Sequence, residues 1–465
     1  MKLTVIADPH YYAKSLGTSG GAFELRSKSD QKCLAESEDI LRAEFGIIAN
    51  SGTDAVLIAG DLSNDGERAS HEGFRCLLYE LQKQKPVYVV TATHDWCCDE
   101  NPRRYEGDDV FHDVPVMKSS ELRDFYQDFG PGQAIAEYFT HLGTSSYVVE
   151  LSAEVWLLAI NDDQNGKGRA GYMPEHLAWI LEQLRLAKER GVTVIAMQHH
   201  LLLPTISPLL TGGACVGDRE AMAETLADAG LRYLFVGHTH MQRIARYGSP
   251  AGSALYQINV GAACGYPAPM VRVHIQEDGL AVKTEHLRSF AYEGQTLGQE
   301  YLRDLATGLV TRVLDSAAAG DKREFARRFT AMQGSGEKAA RVFWIIRPAA
   351  RWLYRLRARK AARLIWLISM GRAIKFREIK ELPDIPVIDM VKDIMLSVFD
   401  GSLNAHERGS GYYRAAMAAM SLPYIFRKSE KTKQLMDAAD AILTGGEING
   451  NDTFLPVKSV NLLQK

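Results

Sequence analysis

The sequence predicts an α/β protein built as a four-layer α/β/β/α sandwich, with an added, mainly helical C-terminal domain. Over about the first 290 residues, short β-branched apolar runs alternate with amphipathic stretches. Such alternation of strands and helices is typical of α/β proteins. Beyond that point the strand pattern largely disappears and helix-compatible stretches dominate.

The expected strands are apolar runs of four to eight residues, a length and composition typical of strands buried on both faces. In chain order they are Leu3–Ala7, Ala55–Ala59, Val87–Thr91, Ser146–Leu151, Val155–Ile160, Val192–Met197, Tyr233–Val236, Ala254–Val260, Met270–Ile275 and Leu280–His286. The runs from Ala254 onward are not separated by helices, which suggests antiparallel pairing among them.

The expected helices are amphipathic stretches between these runs and after them. They are Ser37–Asn50, Glu67–Lys83, Pro174–Arg190, Asp218–Ala229, Gln295–Ala318, Asp389–Phe399, Gly411–Met420 and Lys431–Leu443. Pro348 should break or start a helix. The chain has 465 residues, more than the ~250–300 at which single cores stop growing. We therefore expect two domains, residues 1–290 and 291–465.

Composition narrows the class of protein. The net charge of −3 gives no sign of a surface made for nucleic acid. The first apolar run meets Asp8 and His10 at once, too early for a signal peptide. No apolar stretch reaches the ~18 residues of a membrane span. The six cysteines lack CxxC spacing, so we expect free thiols in a cytoplasmic protein.

Aspartate and histidine follow five of the apolar runs directly. In chain order they are Asp8 and His10, Asp61, His94 and Asp95, His199 and His200, and His238 and His240. In open α/β sheets, ligands bind outside the carboxyl ends of the strands. One such residue alone is usually a turn or a core residue, but the ordered set indicates one polar site.

The residue types favour a metal site. Imidazole and carboxylate groups together suit Zn, Mn, Fe or Ni, and we expect two divalent ions, Mn, Fe or Zn. In an extended segment residues i and i+2 point the same way, so the D-x-H and H-x-H spacings can each present two ligands together. Two metal ions ~3.5–4 Å apart can clamp the attacking and leaving oxygens of an in-line displacement.

The ordered blocks resemble a known signature. Asp8-Pro9-His10, Gly60-Asp61, Ala92-Thr93-His94-Asp95, His199-His200 and Gly237-His238-Thr239-His240 are similar to the motifs of calcineurin-like metallophosphoesterases. The resemblance covers about residues 1–290. It implies a hydrolase of phosphoric esters in which a metal-bridging hydroxide attacks phosphorus in line.

The resemblance also implies a role for each position. Asp8, His10 and His240 would bind the first metal and His199 and His238 the second, with Asp61 bridging them. His94 would not bind metal. It would act on the phosphate as a general acid or transition-state stabiliser, oriented by Asp95.

One block departs from the family pattern. Thr93 stands where the family has asparagine, a ligand of the second metal, and Ala92 stands where it has glycine. A hydroxyl is a weaker ligand than an amide oxygen. The interpretations are a weaker or differently selective second site with tuned activity, and a site partly decayed toward a binding role.

Two further positions are expected on the substrate side. His199 is the better ligand of its pair because the first histidine of this block is usually the ligand in the family. His200 would then face substrate or simply pack. Asn64 would contact substrate or, with Asp65, orient the ligands; a helix-entry turn is the alternative.

The predicted activity is hydrolysis of a phosphodiester, because the HH and GHTH blocks resemble those of bacterial phosphodiesterases. The substrate would be a small molecule. A phosphomonoesterase or a pyrophosphate hydrolase is the near alternative. A weakly active metal-binding interaction protein is the alternative from another class.

A basic segment distinguishes the C-terminal half. Residues 341–377 contain eleven Lys or Arg and no Asp or Glu, interleaved with tryptophan and leucine. This segment can be an amphipathic helix packed on the first domain, a peripheral contact with an anionic membrane surface, or a cap that offers arginine to a phosphate-rich ligand. The sequence leaves all three open.

Overall fold

Two mixed β-sheets form the centre of the computed structural model, which describes residues 1–333, 336–402, 406–426 and 428–457. The strands are Lys2–Ile6 (β1), Ala55–Ala59 (β2), Val87–Val90 (β3), Arg104–Glu106 (β4), Asp109–Phe111 (β5), Ala136–Phe139 (β6), Ser145–Ser152 (β7), Val155–Ala159 (β8), Thr193–Met197 (β9), Tyr233–Val236 (β10), Arg243–Gly248 (β11), Ala254–Asn259 (β12), Pro269–Ile275 (β13), Gly279–His286 (β14), Ser289–Tyr292 (β15), Gln295–Gly298 (β16) and Asp452–Pro456 (β17). One sheet has the order β17-β14-β13-β1-β2-β3, and the other β11-β12-β10-β9-β8-β7-β6.

Helices cover both sheets and make up most of the C-terminal region. They are Gly21–Ser27 (α1), Ser37–Ala49 (α2), Arg68–Gln82 (α3), Ser119–Phe125 (α4), Pro174–Arg190 (α5), Pro208–Thr211 (α6), Arg219–Asp228 (α7), Gln299–Ala319 (α8), Lys322–Gln333 (α9), Gly336–Arg355 (α10), Ala358–Ile368 (α11), Phe376–Glu381 (α12), Val387–Phe399 (α13), Gly411–Phe426 (α14) and Glu430–Thr444 (α15). None of the helices described is long and apolar enough to cross a bilayer.

Alternating side chains build three apolar layers. In β2, Leu57 packs between the two sheets, whereas Val56 and Ile58 pack against α2 and α3. In β8, Leu157 joins the layer between the sheets and Leu158 faces α5 and α7. Because side chains alternate along a strand, uniformly apolar runs fill both faces. The predicted α/β/β/α sandwich is confirmed.

All ten predicted runs form strands, and no predicted end is wrong by more than one residue. The suggested antiparallel pairing holds for β13 with β14 and with β1. It is only half right for β12, which is parallel to β10 and antiparallel to β11. The sequence pattern missed β11 because Arg243 and Arg246 interrupt its apolar character.

Two details of the helical prediction are wrong. The expected helix over Gln295–Ala318 begins only at Gln299, because Gly294, with φ 75°, turns the chain so that residues 295–298 pair with β15 as β16. Pro348 lies inside α10. The carbonyl of Trp344, four residues earlier, loses its helical partner there, but this side of α10 is exposed to water.

The C-terminal region returns to the sheets. After the helices α8 to α15, strand β17 pairs with β14 at the edge of the first sheet. A second connection joins Gln242, which donates from its main chain to Phe399 O at 3.0 Å and from its amide to Gly450 O at 2.8 Å. The division into domains at residue 290 stays a prediction.

Candidate metal centre

Neighbouring strands bring the predicted residues to one place. Asp8, Asp61 and His94 follow β1, β2 and β3, which are adjacent and parallel in one sheet. His199 and His238 follow β9 and β10, which are adjacent and parallel in the other. The site therefore lies where the carboxyl ends of the strands of both sheets meet.

Five of the predicted ligands have an unusual backbone conformation. Left-handed φ angles occur at Asp8 (51°), His10 (40°), Asp61 (51°), His238 (71°) and His240 (58°). Such a conformation costs a non-glycine residue roughly 1–3 kcal/mol and persists only where surrounding structure enforces it. Its concentration at these positions indicates that the fold holds the side chains in place for a function.

The first group consists of Asp8, His10 and His240, all buried, with ligand atoms within 4.8 Å of one another. His10 Nε2 and His240 Nε2 lie 3.1 Å apart, and His240 Nε2 lies 3.4 Å from Asp8 Oδ1. Atoms bound at the usual ~2.0–2.1 Å to one tetrahedral or octahedral ion are ~2.9–3.4 Å apart. The distances therefore fit a shared metal ion.

The second group consists of Asp61, His199 and His238. His199 Nδ1 lies 3.0 Å from Ala59 O and donates to it, so Nε2 keeps its lone pair. That Nε2 lies 3.0 Å from Asp61 Oδ2. Asp61 also forms a group with His10 and His94. It is thus positioned between the two groups, as a bridging carboxylate would be.

Glycines make room for these side chains. A Cβ on Gly60, at φ 85°, would lie 2.5 Å from His199 Nδ1, and a Cβ on Gly237 would lie 2.5 Å from Asp8 Oδ2. Real Cβ atoms essentially never come so close to another heavy atom. The glycines of the GD and GHxH blocks therefore allow the backbone to approach the ligands closely.

The electrostatics of the metal-free site keep two imidazoles neutral. Burial lowers the pKa of His10, with a further lowering by Lys32. Burial and the nearby His200 lower the pKa of His238. Burial also lowers the pKa of His199, but Asp61 outweighs it and raises the net pKa well above its ordinary value. The cluster thus carries lone pairs and carboxylates suited to cations.

His94 stands at the open side of the site. Its side chain is about one-third exposed, and its ring meets the His10 ring edge-on at 5.0 Å between centroids. Nδ1 contacts the main-chain oxygen of Asn64 and lies 3.5 Å from Asp65 Oδ1. Burial lowers the pKa of His94, and so does Lys32. Asp61 and Asp65 raise this pKa by a larger amount, so that the net shift is upward.

The predicted orientation of His94 by Asp95 is corrected here. The Asp95 carboxylate accepts hydrogen bonds from the main-chain N–H groups of Ser63, at 2.9 Å, and Ala92, at 2.8 Å. Burial and Asp61 raise the pKa of Asp95 to about 8 against the effect of those bonds. Asp95 ties the turn after β3 to the segment after β2, and Asp65 is the carboxylate beside His94.

The remaining predicted positions surround the cluster. Thr93 begins the 3-10 turn Thr93–Trp96 that carries His94, and its main-chain oxygen accepts from Cys98 N at 3.1 Å. His200 Nδ1 lies 3.1 Å from Asp162 Oδ1, and its ring lies 4.5 Å from that of His238. Asn64 points its amide at Glu67 Oε1, 3.4 Å away, and contacts His94 only through its main chain.

Sequence reasoning missed several neighbours of the cluster. Gln31 Nε2 lies 2.7 Å from His240 Nδ1. Lys32 is only 6% exposed, yet among the described residues no carboxylate lies within 4 Å of its ammonium group. Asn259, at the end of β12, donates to Thr239 Oγ1 at 3.0 Å and steadies the GHTH loop. Gln31 and Lys32 belong to no periodic run or spaced motif, and the run Ala254–Val260 predicts a strand without marking Asn259 as a polar contact.

A family model and several solved structures match this chain. A family model described as calcineurin-like phosphoesterase matches residues 1–242. A dimetal phosphatase from Danio rerio is 14% identical over 64% of this chain and 99% of its own, with a TM-score of 0.45. Purple acid phosphatase from yellow lupin is 12% identical over 64% of this chain and 52% of its own, with a TM-score of 0.40. Comparison with curated proteins found no match.

Proposed function

Since the chain belongs to the calcineurin-like phosphoesterase family, and is thus a metal-dependent hydrolase of phosphoric esters, we propose that its reaction takes place between the two histidine–aspartate groups. The observation that carries this proposal is the 3.1 Å separation of His10 Nε2 and His240 Nε2, next to a second group that shares Asp61. The proposed metals are Mn, Fe or Zn, which imidazole and carboxylate ligands suit.

We assign the ligands as the sequence predicts. Asp8, His10 and His240 would hold the first ion and His199 and His238 the second, with Asp61 shared between them and Thr93 as a weaker ligand of the second. A bound pair of divalent ions supplies a hydroxide nucleophile near neutral pH and offsets charge on the phosphoryl oxygens. The protein keeps these side chains in one geometry through left-handed backbone, close glycines and the bond from His199 to Ala59.

His94 acts on the substrate side. Its ring is the partly exposed imidazole of the cluster that faces His10, and the main-chain oxygen of Asn64 fixes Nδ1. Nε2 is then free to contact a phosphoryl or leaving-group oxygen, and it donates to that oxygen when the imidazole is protonated. Stabilising charge that develops in the transition state is usually the largest catalytic effect.

The proposed substrate is a small-molecule phosphodiester, because the His199-His200 and Gly237–His240 blocks resemble those of bacterial phosphodiesterases. Lys32 favours a second candidate, a phosphomonoester. Its side chain is largely buried and has no carboxylate within 4 Å of its ammonium group among the described residues, and a monoester dianion offers that group one more negative charge than a diester does. Charge-assisted hydrogen bonds of this kind are roughly twice as strong as neutral ones.

Hydrolysis of nitrophenyl phosphate and bis-(nitrophenyl) phosphate with added manganese distinguishes the two. The diester proposal expects a higher kcat/KM for the bis ester. A higher value for the monoester, reduced selectively by Lys32→Met, assigns the second candidate.

Asp61→Asn tests the metal centre itself. We expect it to lower kcat at least about 100-fold, more than typical outer-shell substitutions do, and to lower the bound metal measured by mass spectrometry. Asp54→Asn is the matched control, because Asp54 precedes β2 as Asp61 follows it and is exposed. Equal activity of Asp61→Asn and wild type would contradict the proposal.

A further inference from the structure

Helix α11 buries its small side chains and exposes its large aliphatic ones. It packs on α12 and α14 through small or compact side chains, mainly Ala358, Ala361, Ala362 and Ile365. Its large aliphatic residues lie outside, with Leu364 42%, Leu367 66% and Ile368 46% exposed. Apolar side chains of this size are normally the ones that a surface helix buries.

The exposed apolar surface continues past the end of α11. Met370 is 75% exposed and Phe376, the first residue of α12, is 49% exposed. The Phe376 ring packs edge-on against Trp366, with 5.7 Å between centroids, which brings the start of α12 beside the end of α11. We call Leu364, Leu367, Ile368, Met370 and Phe376 the apolar ridge.

Cations surround the apolar ridge. Lys360 lies one helical turn before Leu364 and so shares its face, and Arg363 lies beside it. Five exposed cations border the ridge: Lys360, Arg363, Arg372, Lys375 and Arg377. Within the described ranges, none of these five has a carboxylate within 4 Å. Neighbouring Arg357 and Arg414 do have such partners, Asp384 and Glu378.

We propose that the apolar ridge and its five cations are a docking surface for an anionic phospholipid bilayer. Interfacial helices combine exposed Leu and aromatic side chains with Lys and Arg, so that apolar groups enter the boundary of the acyl chains while cations meet lipid phosphates. A second copy of this chain fits less well. A symmetric contact places the same patch on both sides and would bring together ten cations, none of which has a carboxylate within 4 Å among the described residues.

Cosedimentation of the full-length protein with vesicles tests the docking surface. We expect binding to vesicles of phosphatidylglycerol and phosphatidylcholine, and at least about tenfold weaker binding to phosphatidylcholine alone. Binding should weaken as salt rises from 0.05 to 0.5 M, since surface charges are screened. Binding that is equal for both vesicles, or absent for both, would overturn the proposal.

Substitution separates the apolar from the charged contribution. Leu364→Gln, Leu367→Gln and Ile368→Gln combined should weaken binding to anionic vesicles about tenfold or more. Lys360→Gln with Arg363→Gln should weaken it several-fold. Glutamine preserves helix propensity, and hydrolysis of nitrophenyl esters should stay unchanged, which shows that the variants fold.

Matched controls lie on other surfaces. Ile135→Gln with Phe139→Gln removes exposed apolar side chains from the β6 region, and Lys118→Gln with Lys188→Gln removes two exposed cations. Both should bind vesicles as wild type does. If the triple variant binds vesicles like wild type, the surface is not the one proposed. If wild type is a dimer that the triple variant turns into a monomer, the ridge is an interface between copies.

Discussion

Thr93 occupies the position at which the resemblance to the family predicts an asparagine ligand of the second metal. It begins the turn that carries His94, next to the group formed by Asp61, His199 and His238. A hydroxyl offers a neutral oxygen on a short side chain, whereas an asparagine amide extends its carbonyl oxygen further. The second ion would therefore be bound with fewer or weaker protein ligands.

Thr93→Asn should strengthen the second site. We expect the bound metal to approach two ions per chain and the manganese concentration for half-maximal activity to fall about tenfold, the scale of a single ligand-shell change. Titration with manganese, followed by activity and by mass spectrometry, measures both. Thr91→Asn, a change of the same chemistry two residues earlier, is the control. No change in occupancy or activity would count against the weak second site.

At this scale, the sequence predicted the cluster but not its surroundings. Asp8, His10, Asp61, His199, His238 and His240 could be found because each follows an apolar run directly. The carboxyl ends of the strands that these runs form meet at one place in the fold. Contacts from loops were harder to assign, because Lys32 and Asp65 reach the site through irregular segments. Lys32 was missed, and Asp65, which was expected to orient ligands, was not recognised as the carboxylate beside His94. The confusion of Asp95 with Asp65 as the partner of His94 has this cause.

An unsatisfied carboxyl group lies within helix α2. Glu44 is fully buried, and within the part of the chain that the structure describes neither of its carboxylate oxygens has a hydrogen-bond partner. Burial raises its pKa well above the ordinary 4.5, with only a partial opposing effect from Arg272. Because the folded protein then holds a proton that the unfolded chain releases, this residue lowers stability increasingly as pH rises above about 4.5.

Glu44→Met should stabilise the protein by about 1–3 kcal/mol at pH 4, the usual cost of an unsatisfied buried polar group. At pH 8 the gain should be larger, because the folded wild type must also keep a proton that its unfolded chain has released. Urea unfolding at the two pH values measures the difference. Glu72→Met, at an exposed position of α3, should change stability by no more than about 0.5 kcal/mol. An equal gain at both pH values would contradict this account.

The strands themselves were easier to predict than the way in which they pair. Uniformly apolar segments such as β2 and β8 are unmistakable because they are buried on both faces. Edge strands lack that signal, since one side meets water: β11 carries two arginines, and β17 lies far along the chain from the sheet that it joins. Pairing over such sequence distances depends on the assembled fold.

The end of the described chain completes the first sheet. Strand β17 covers the edge of β14, and Leu455, only 1% exposed, enters the apolar layer between the sheets. The segment after the last helix thus contributes to the apolar layer between the two sheets.

Leu455→Ala should destabilise the whole protein by about 2–5 kcal/mol, as large-to-small changes in cores do. The neighbouring Phe454 points the other way and is 42% exposed, so Phe454→Ala should cost about 1 kcal/mol or less. Thermal unfolding monitored by circular dichroism compares the two. A small effect of Leu455→Ala would show that β17 is dispensable.

The hydrogen bonds of Gln242 should couple metal binding to the resistance of the C-terminal residues to protease. Gln242 lies two residues after His240 and holds Phe399 and Gly450, so an ion that stabilises the His240 segment also opposes release of residues 399–457. An ion at 100 times its Kd adds about 2.7 kcal/mol to the stability of any state that binds it.

Manganese should therefore slow tryptic cleavage within 428–457. Gln242→Ala should abolish that protection, while cleavage at Lys322 in α9 stays the same. Protection that survives Gln242→Ala would show that the two regions respond independently.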